Sequence, residues 1–345
     1  MKVVIVGGGF CGVFIAKYLE KTKNIETTLI DSKSYYEYQP SLHKVLFKPS
    51  LIEKLRKEYT AFLHKTDIIV DTIREITPQH VKTNKGTIKY DVLVIATGIE
   101  YPIFLDNKKN VYVLKNGKQA CEIAEKIQNA YHILIVGGGV IGTEITGEII
   151  TKAPQKKLTF IHPRNHILER LPSDASDYSI DFFKKNNVKL IFGEKIASHK
   201  EQTYITTKNR EIKADLCIWC TGIKTNPAFM KKFSDSCFTD RKALKVDDYL
   251  QLEGYPNIFV GGDISNVKEE KNARKAELHA KIIAKNIKRL LKQKPLIKYK
   301  SGRSPMVISL GDWRGLIIYK YVFPGLIAPG ILKYLIQWWV FRHLR

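Results

Sequence analysis

The sequence predicts an α/β protein with two Rossmann-like dinucleotide-binding domains and a short C-terminal segment suited to face a membrane. Three observations carry this. The fingerprint G-x-G-x-x-G occurs twice, each time between a Val/Ile-rich run and a helix-like stretch. Each copy is followed later in the chain by another apolar run that stops at Thr-Gly. Residues 315–345 are the most apolar stretch of the chain and carry Pro324 and Pro329.

The first fingerprint, VVIVGGGFCG at residues 3–12, supplies Gly7, Gly9 and Gly12, with Phe10 and Cys11 between the last two. The second, ILIVGGGVIG at residues 133–142, supplies Gly137, Gly139 and Gly142, with Val140 and Ile141 between them. In such a motif the first glycine makes the strand-to-helix turn and the second lets the backbone approach a pyrophosphate. The third lets helix and strand pack closely, and the helix N-terminus presents N–H groups to the phosphates. The stretches VFIAKYLEK and TEITGEIITK then read as helices, and TTLID and LTFIH as the strands after them. This strand–turn–helix–strand setting is the context the motif requires.

Asp31 ends the second strand of the first copy, 24 residues after Gly7, where a carboxylate accepts ribose hydroxyls. His162 holds the equivalent place in the second copy and cannot act as an acidic acceptor. With Arg164 close by, the loop either receives a 2′-phosphate or simply faces solvent, so NADH and NADPH both stay open.

Residues 90–98, YDVLVIATG, end at Thr97 and Gly98; residues 215–222, DLCIWCTG, end at Thr221 and Gly222. A strand that stops there suits a backbone passing close to a cofactor. Hairpin-like stretches, HVKTNKGTIKY and TYITTKNREIKAD, precede them. A later strand, NIFVGGD at residues 257–263, places Asp263 to bond the ribityl or phosphate part of a flavin dinucleotide, with the next helix aimed at the phosphate.

At 345 residues the chain exceeds what one core usually serves. Its net charge of +23 draws it towards anionic surfaces such as lipid headgroups, nucleic acid or phosphorylated ligands, unless the lysine enrichment reflects general compositional bias. No aromatic–basic recognition motif supports a specific nucleic-acid partner. Five scattered cysteines do not suggest a disulfide framework, and no metal site is expected. The start MKVVIVGGG has neither a signal-peptide run nor the Met-Gly of a myristoylation site, which makes a cytoplasmic setting the default.

Together these motifs resemble the two-dinucleotide flavoprotein family over residues 1 to roughly 300. Motif order in that family implies FAD at the first fingerprint and NAD(P)H at the second. The implied domains are 1–105 with 250–300 for FAD, 106–249 for NAD(P)H, and 301–345 as the C-terminal segment. Within the family the chain is most similar to type II NADH dehydrogenases, and closer still to ferroptosis-suppressor and apoptosis-inducing-factor-like quinone reductases. The stretches LTFIHP, CTGIKTN, ALKVDDYLQLEGYPNIFVGGD and AELHAKIIAKNI carry this.

The resemblance implies FAD held by Gly7, Gly9, Phe10, Cys11, Gly12, Asp31, Thr97, Gly98 and Asp263, with Lys44 and His43 under the flavin by position. It implies NAD(P)H along Gly137, Gly139, Val140, Ile141, Gly142, His162, Arg164, Thr221 and Gly222. The reacting residues it implies are Glu144 near the nicotinamide–flavin junction, His279 on the helix after Gly-Gly-Asp, and Lys333 on the quinone side, five residues before Trp338. For Glu144, a first-turn glutamate favoured by the helix dipole is an equal alternative.

Absences narrow the class. Residues 32–60 hold no redox cysteine pair, and no cysteine follows Cys237, unlike disulfide reductases and sulfide:quinone reductases. Cys217 and Cys220 would point to opposite faces of a strand as structural thiols.

In the tail, the longest uncharged run, Tyr321–Leu332, has 12 residues, short of the roughly 20 that a spanning helix needs. Residues 331–345 suit a short helix with Trp338 and Trp339 at an interface and Lys333, Arg342, His343 and Arg345 at its ends. The expectation is a peripheral, monotopic foot on an anionic membrane surface at the cytoplasmic face, or a homodimer contact. The rivals are a soluble NAD(P)H oxidase or ferredoxin/rubredoxin reductase, and a flavin-bound nucleic-acid-binding protein.

Overall fold

The computed structural model describes residues 1–344; Arg345, expected among the basic residues ending the tail, lies outside the described residues. The chain opens with β1 (Lys2–Val6), α1 (Phe10–Leu19) and β2 (Glu26–Asp31), passes the short helix α2 (Leu42–Val45), and continues to β3 (Thr66–Val70) and β4 (Val92–Ile95). Then come β5 (Val111–Tyr112), α3 (Gly117–Asn129), β6 (His132–Val136), α4 (Val140–Lys152), β7 (Lys157–His162), α5 (Ser173–Lys185), β8 (Lys189–Phe192) and β9 (Leu216–Trp219). The last third holds β10 (Gln251–Leu252), β11 (Tyr255–Val260), α6 (Ala273–Leu291), the strands β12 (Met306–Ser309), β13 (Arg314–Ile318) and β14 (Val322–Leu326), and α7 (Ala328–His343).

The first sheet runs β10-β11-β4-β1-β2-β3 and is parallel except for β10. The second runs β5-β9-β6-β7-β8 and is parallel throughout. The central strands β1, β4, β6 and β9 read as near-continuous apolar runs, as strands covered on both faces do. Val3 and Ile5 of β1 pack with Phe14 of α1 and Ile283 of α6, while Val4 and Val6 face Ile76 and Val81 of a small antiparallel sheet. The second sheet repeats this, with Ile133 and Ile135 on one side and Leu134 and Val136 on the other. Met230, Phe233, Cys237 and Leu244 join the core of the first unit. Cys217 and Cys220 do lie on opposite faces of the second sheet, and all five cysteines are free thiols.

The hairpins before each Thr-Gly strand appear as expected, as antiparallel pairs. The helix after Gly-Gly-Asp does not follow directly. Asp263 sits on a 3₁₀ turn, Gly262–Ile264, and α6 starts only at Ala273, where Asn272 Oδ1 accepts the Lys275 amide. A bridge from Leu244 to Ser265 pins the chain where it leaves that turn.

The C-terminal strands form their own antiparallel sheet, and α7 packs across it. This helix starts at Ala328, three residues before the expected position, because Pro329 is tolerated in a first turn that needs no donor. Its orientation inverts the usual pattern: Lys333 is buried with Pro329 and Val340, while Ile331, Tyr334, Leu335, Ile336 and Trp338 are exposed.

Candidate functional site

At the first fingerprint Gly7 has φ +102°, a left-handed conformation, and a Cβ there would come within 2.5 Å of the Ala96 carbonyl oxygen. Gly12 packs on the Gly7 carbonyl, whereas Gly9 has nothing within 4 Å of where a Cβ would stand, which leaves room for a pyrophosphate. Asp31 accepts the Gly8 amide through Oδ2 at 2.5 Å and the Lys33 amide through Oδ1 at 2.8 Å. A cavity of about 650 Å³ runs along Gly7, Asp31, Thr97 and Gly98 to Arg74 and Lys115. Phe10 packs against Tyr36 and Tyr38 behind the turn.

The second fingerprint repeats the geometry: Gly137 at φ +112° lies against Cys220 and Thr221, Gly142 packs on the Gly137 carbonyl, and Gly139 faces open space. Val140 and Ile141 start α4 and are partly buried against the core. Gly222, at φ +78°, lies under the ring of Phe104. His162 takes the place of Asp31 and accepts the Gly138 amide through Nδ1 at 3.0 Å. Burial pushes the His162 imidazole below its usual range, against the pull of Glu169. The two cradles thus fit two dinucleotides, and the Gly9 and Gly139 openings are the observation on which that fit rests.

Asp263 sits on the turn after β11, and burial raises its carboxyl above the ordinary range, opposed by Lys271 and His279. His279, expected among the reacting residues, packs against this turn. Its Nδ1 accepts the Gly262 amide at 3.1 Å, its Nε2 lies 2.7 Å from Glu269, and Tyr299 packs edge-on against its ring. Cys11 is buried against Gly261 and Gly262 behind the same turn, and burial pushes its thiol far above the usual range. It has the surroundings of a packing residue rather than a nucleophile.

The most unusual chemistry lies where α4, α2 and α7 meet. Lys333 of α7 donates to Glu144 Oε1, and the same oxygen accepts the Ser309 amide at 3.1 Å. His43 sits beside them, with Nδ1 3.5 Å from Glu144 Oε2 and Nε2 3.4 Å from Lys333 Nζ. Glu148, one turn further along α4, has Oε1 3.7 Å from His43 Nε2. All four are enclosed, at 5%, 6%, 3% and 1% exposure for Lys333, Glu144, His43 and Glu148.

Desolvation disfavours charge in such a place. It holds His43 well below its usual range, helped by Lys333 and Lys44, so the imidazole is neutral. It lowers the Lys333 ammonium, although Glu144 pulls it back. It raises Glu148 to about 7, with Asp312 adding to the effect and Lys44 opposing it. Lys44, expected under the flavin, thus acts on Glu148 and His43. Glu148 Oε1 is buried without a hydrogen-bond partner. Sequence reasoning missed Glu148, although its spacing of four from Glu144 put both on one helix face. It also missed Glu169, for which no local signal existed.

Residues 1–280 match the family model for pyridine nucleotide-disulphide oxidoreductases. Among curated relatives, Ferroptosis suppressor protein 1 of Taeniopygia guttata is 31% identical over 96% of this chain and 92% of its own length. Apoptosis-inducing factor homolog B of Dictyostelium discoideum is 30% identical over 91% of this chain and 88% of its own. Among solved structures, the sulfide:quinone oxidoreductase of Aquifex aeolicus superposes with a TM-score of 0.87 at 19% identity, covering 100% of this chain and 91% of that one. NDH2 of Plasmodium falciparum in complex with NADH gives 0.86 at 16% identity, covering 99% and 96%. At these identities the structural likeness speaks for the fold.

Proposed function

The chain belongs to the pyridine nucleotide-disulphide oxidoreductase family, and on that premise we propose that it is an FAD-dependent NAD(P)H:quinone oxidoreductase working at a membrane surface. The observation that carries this is the buried Lys333–Glu144 pair. It joins the helix of the second dinucleotide cradle to a tail helix whose outer side is apolar. The absence of a cysteine pair in residues 32–60 argues against dithiol chemistry.

When bound, FAD supplies two-electron redox chemistry between the reduced nicotinamide and the acceptor. The protein's residues place the partners and manage protons. Gly7, Gly9, Gly12, Asp31, Thr97, Gly98 and Asp263 hold one dinucleotide, with His279 fixing the turn that carries Asp263. Gly137, Gly139, Gly142, Thr221 and Gly222 hold the other. Making a quinol from a quinone consumes two electrons and two protons, one arriving with the hydride and one from solvent. Glu148, near 7, is poised to hold that second proton, and Lys333 offers a buried cation to an oxygen gaining negative charge.

The exposed side of α7, with Phe323, Leu326 and Ile327 ahead of it, gathers large apolar side chains in the open, the kind of patch that marks a contact surface. Arg342 stacks on Trp338 at 5.0 Å, placing a cation at an interfacial aromatic. No helix of the described residues is long and apolar enough to cross a membrane, so this face suits an interfacial contact.

The test is anaerobic reduction of the flavin-loaded protein by NADH and by NADPH, followed by addition of a short-chain ubiquinone. Bleaching of the yellow absorbance and its return on adding quinone are expected. Failure to bleach with either nucleotide would sink the proposal, and reoxidation by oxygen alone would point to an oxidase.

A further inference from the structure

The second dinucleotide cradle lacks a carboxylate at the end of β7, yet the fold delivers one from elsewhere. The loop after β7 turns back onto the fingerprint: the Leu168 amide donates to the Gly138 carbonyl at 2.7 Å, and the Ile167 amide donates to Ser176 Oγ at 3.1 Å. Leu168 adopts φ +55°, in the left-handed region, and the next residue is Glu169. Glu169 Oε1 lies 2.8 Å from His162 Nε2, and Oε2 lies 2.9 Å from Arg164 Nε.

The hydrogen bonds define the proton positions. The Gly138 amide donates to His162 Nδ1, so that nitrogen carries no proton and Nε2–H donates to Glu169. In the first cradle Asp31 accepts the Gly8 amide directly and presents a carboxylate at the strand end. In the second, His162 accepts the corresponding amide and hands the position on to Glu169. Arg164 is two-thirds exposed but is held by that same carboxylate.

We infer that Glu169 is the specificity-determining carboxylate of the nicotinamide nucleotide site, accepting the adenosine 2′-hydroxyl and disfavouring a 2′-phosphate, so that the protein selects NADH over NADPH. The inference rests on the proposal that the second cradle holds NAD(P)H. A strand-end carboxylate accepts a ribose hydroxyl, which donates. It repels a phosphate dianion placed at the same point, and it holds Arg164, a guanidinium of this loop that could otherwise pair with that dianion.

The experiment is isothermal titration of the FAD-loaded protein with ADP-ribose and with 2′-phospho-ADP-ribose, which reads binding rather than turnover. The wild type should bind the phosphorylated ligand more weakly by about tenfold or more. Glu169→Gln keeps an acceptor for His162 but removes the charge and releases Arg164. It should tighten the 2′-phosphate ligand by about tenfold and change ADP-ribose by only about twofold. Adding Arg164→Ala to that variant should remove the gain. Flavin content and the melting curve establish that each variant is folded. Equal or tighter binding of the 2′-phosphate ligand by wild type, or an unchanged ratio in Glu169→Gln, overturns this inference alone. Binding of neither ligand by a protein that carries FAD overturns the second dinucleotide site itself, and this inference with it.

Discussion

Replacing Glu148 with glutamine isolates one buried proton. In the folded protein this carboxyl stands at about 7, against 4.5 as the ordinary value, because it is sealed from solvent. Between these values the native state keeps a proton that the unfolded chain has released, so stability falls as pH rises through that window. The shift amounts to a cost of about 1 kcal/mol at pH 5 and about 3 kcal/mol at pH 8, since one pKa unit is worth about 1.4 kcal/mol. Glu148→Gln cannot ionise. Its stability relative to wild type should therefore improve by about 2 kcal/mol from pH 5 to pH 8, whatever constant cost the substitution adds. Urea unfolding at both pH values, followed by tryptophan fluorescence, gives this double difference, in which other titrating groups cancel. The quinone reductase rate should fall as pH rises through 7 in the wild type and lose that dependence in the variant. A stability gap between the two proteins that stays constant within about 0.5 kcal/mol from pH 5 to pH 8 would refute an ionisable Glu148 in the native core.

Other perturbations test other parts of the site. Lys333→Met leaves Glu144 buried without its cation, and should cost about 3–5 kcal/mol in urea unfolding, with part recovered by adding Glu144→Gln. An unchanged midpoint would mean the pair is not formed. His279→Ala removes the acceptor for the Gly262 amide and the partner of Glu269, and should weaken FAD retention by about tenfold, measured as flavin absorbance after gel filtration. Full retention would remove its positioning role. Leu335→Ser with Trp338→Ser should lower binding to anionic liposomes by about tenfold while leaving short-chain quinone reduction in solution intact. Undiminished liposome binding would direct attention to a dimer contact, read by sedimentation.

Legibility in the sequence followed distance along the chain. Both glycine turns, the strands that bracket them and the Thr-Gly ends could be read directly, because each is decided by steric and hydrogen-bonding demands within a few residues. Asp31 was equally plain, since strand length sets its place beside Gly8. His279 was visible as a residue but not as a support for Gly262, because that role depends on how α6 lies against the turn. The delayed start of α6 was also hidden, since Asn272 and the Leu244–Ser265 bridge act together only in the folded chain.

By itself the sequence determined two dinucleotide cradles and an apolar tail whose uncharged run is too short to span a bilayer. All of these are local or compositional properties. Only the tertiary structure decided what the cradles are coupled to. Lys333 reaches Glu144 across 189 positions and His43 across 290, and neither partner is implied by its own neighbours. Glu169 reaches His162 only because Leu168 bends the loop back on the fingerprint. The tail helix places its lysine inside and its leucine and tryptophan outside for the same reason. Glu144 on α4 is buried, and without the Lys333 ammonium it would stand as an unpaired charge in a dry interior, so the tertiary contact overrides the pattern of the helix itself.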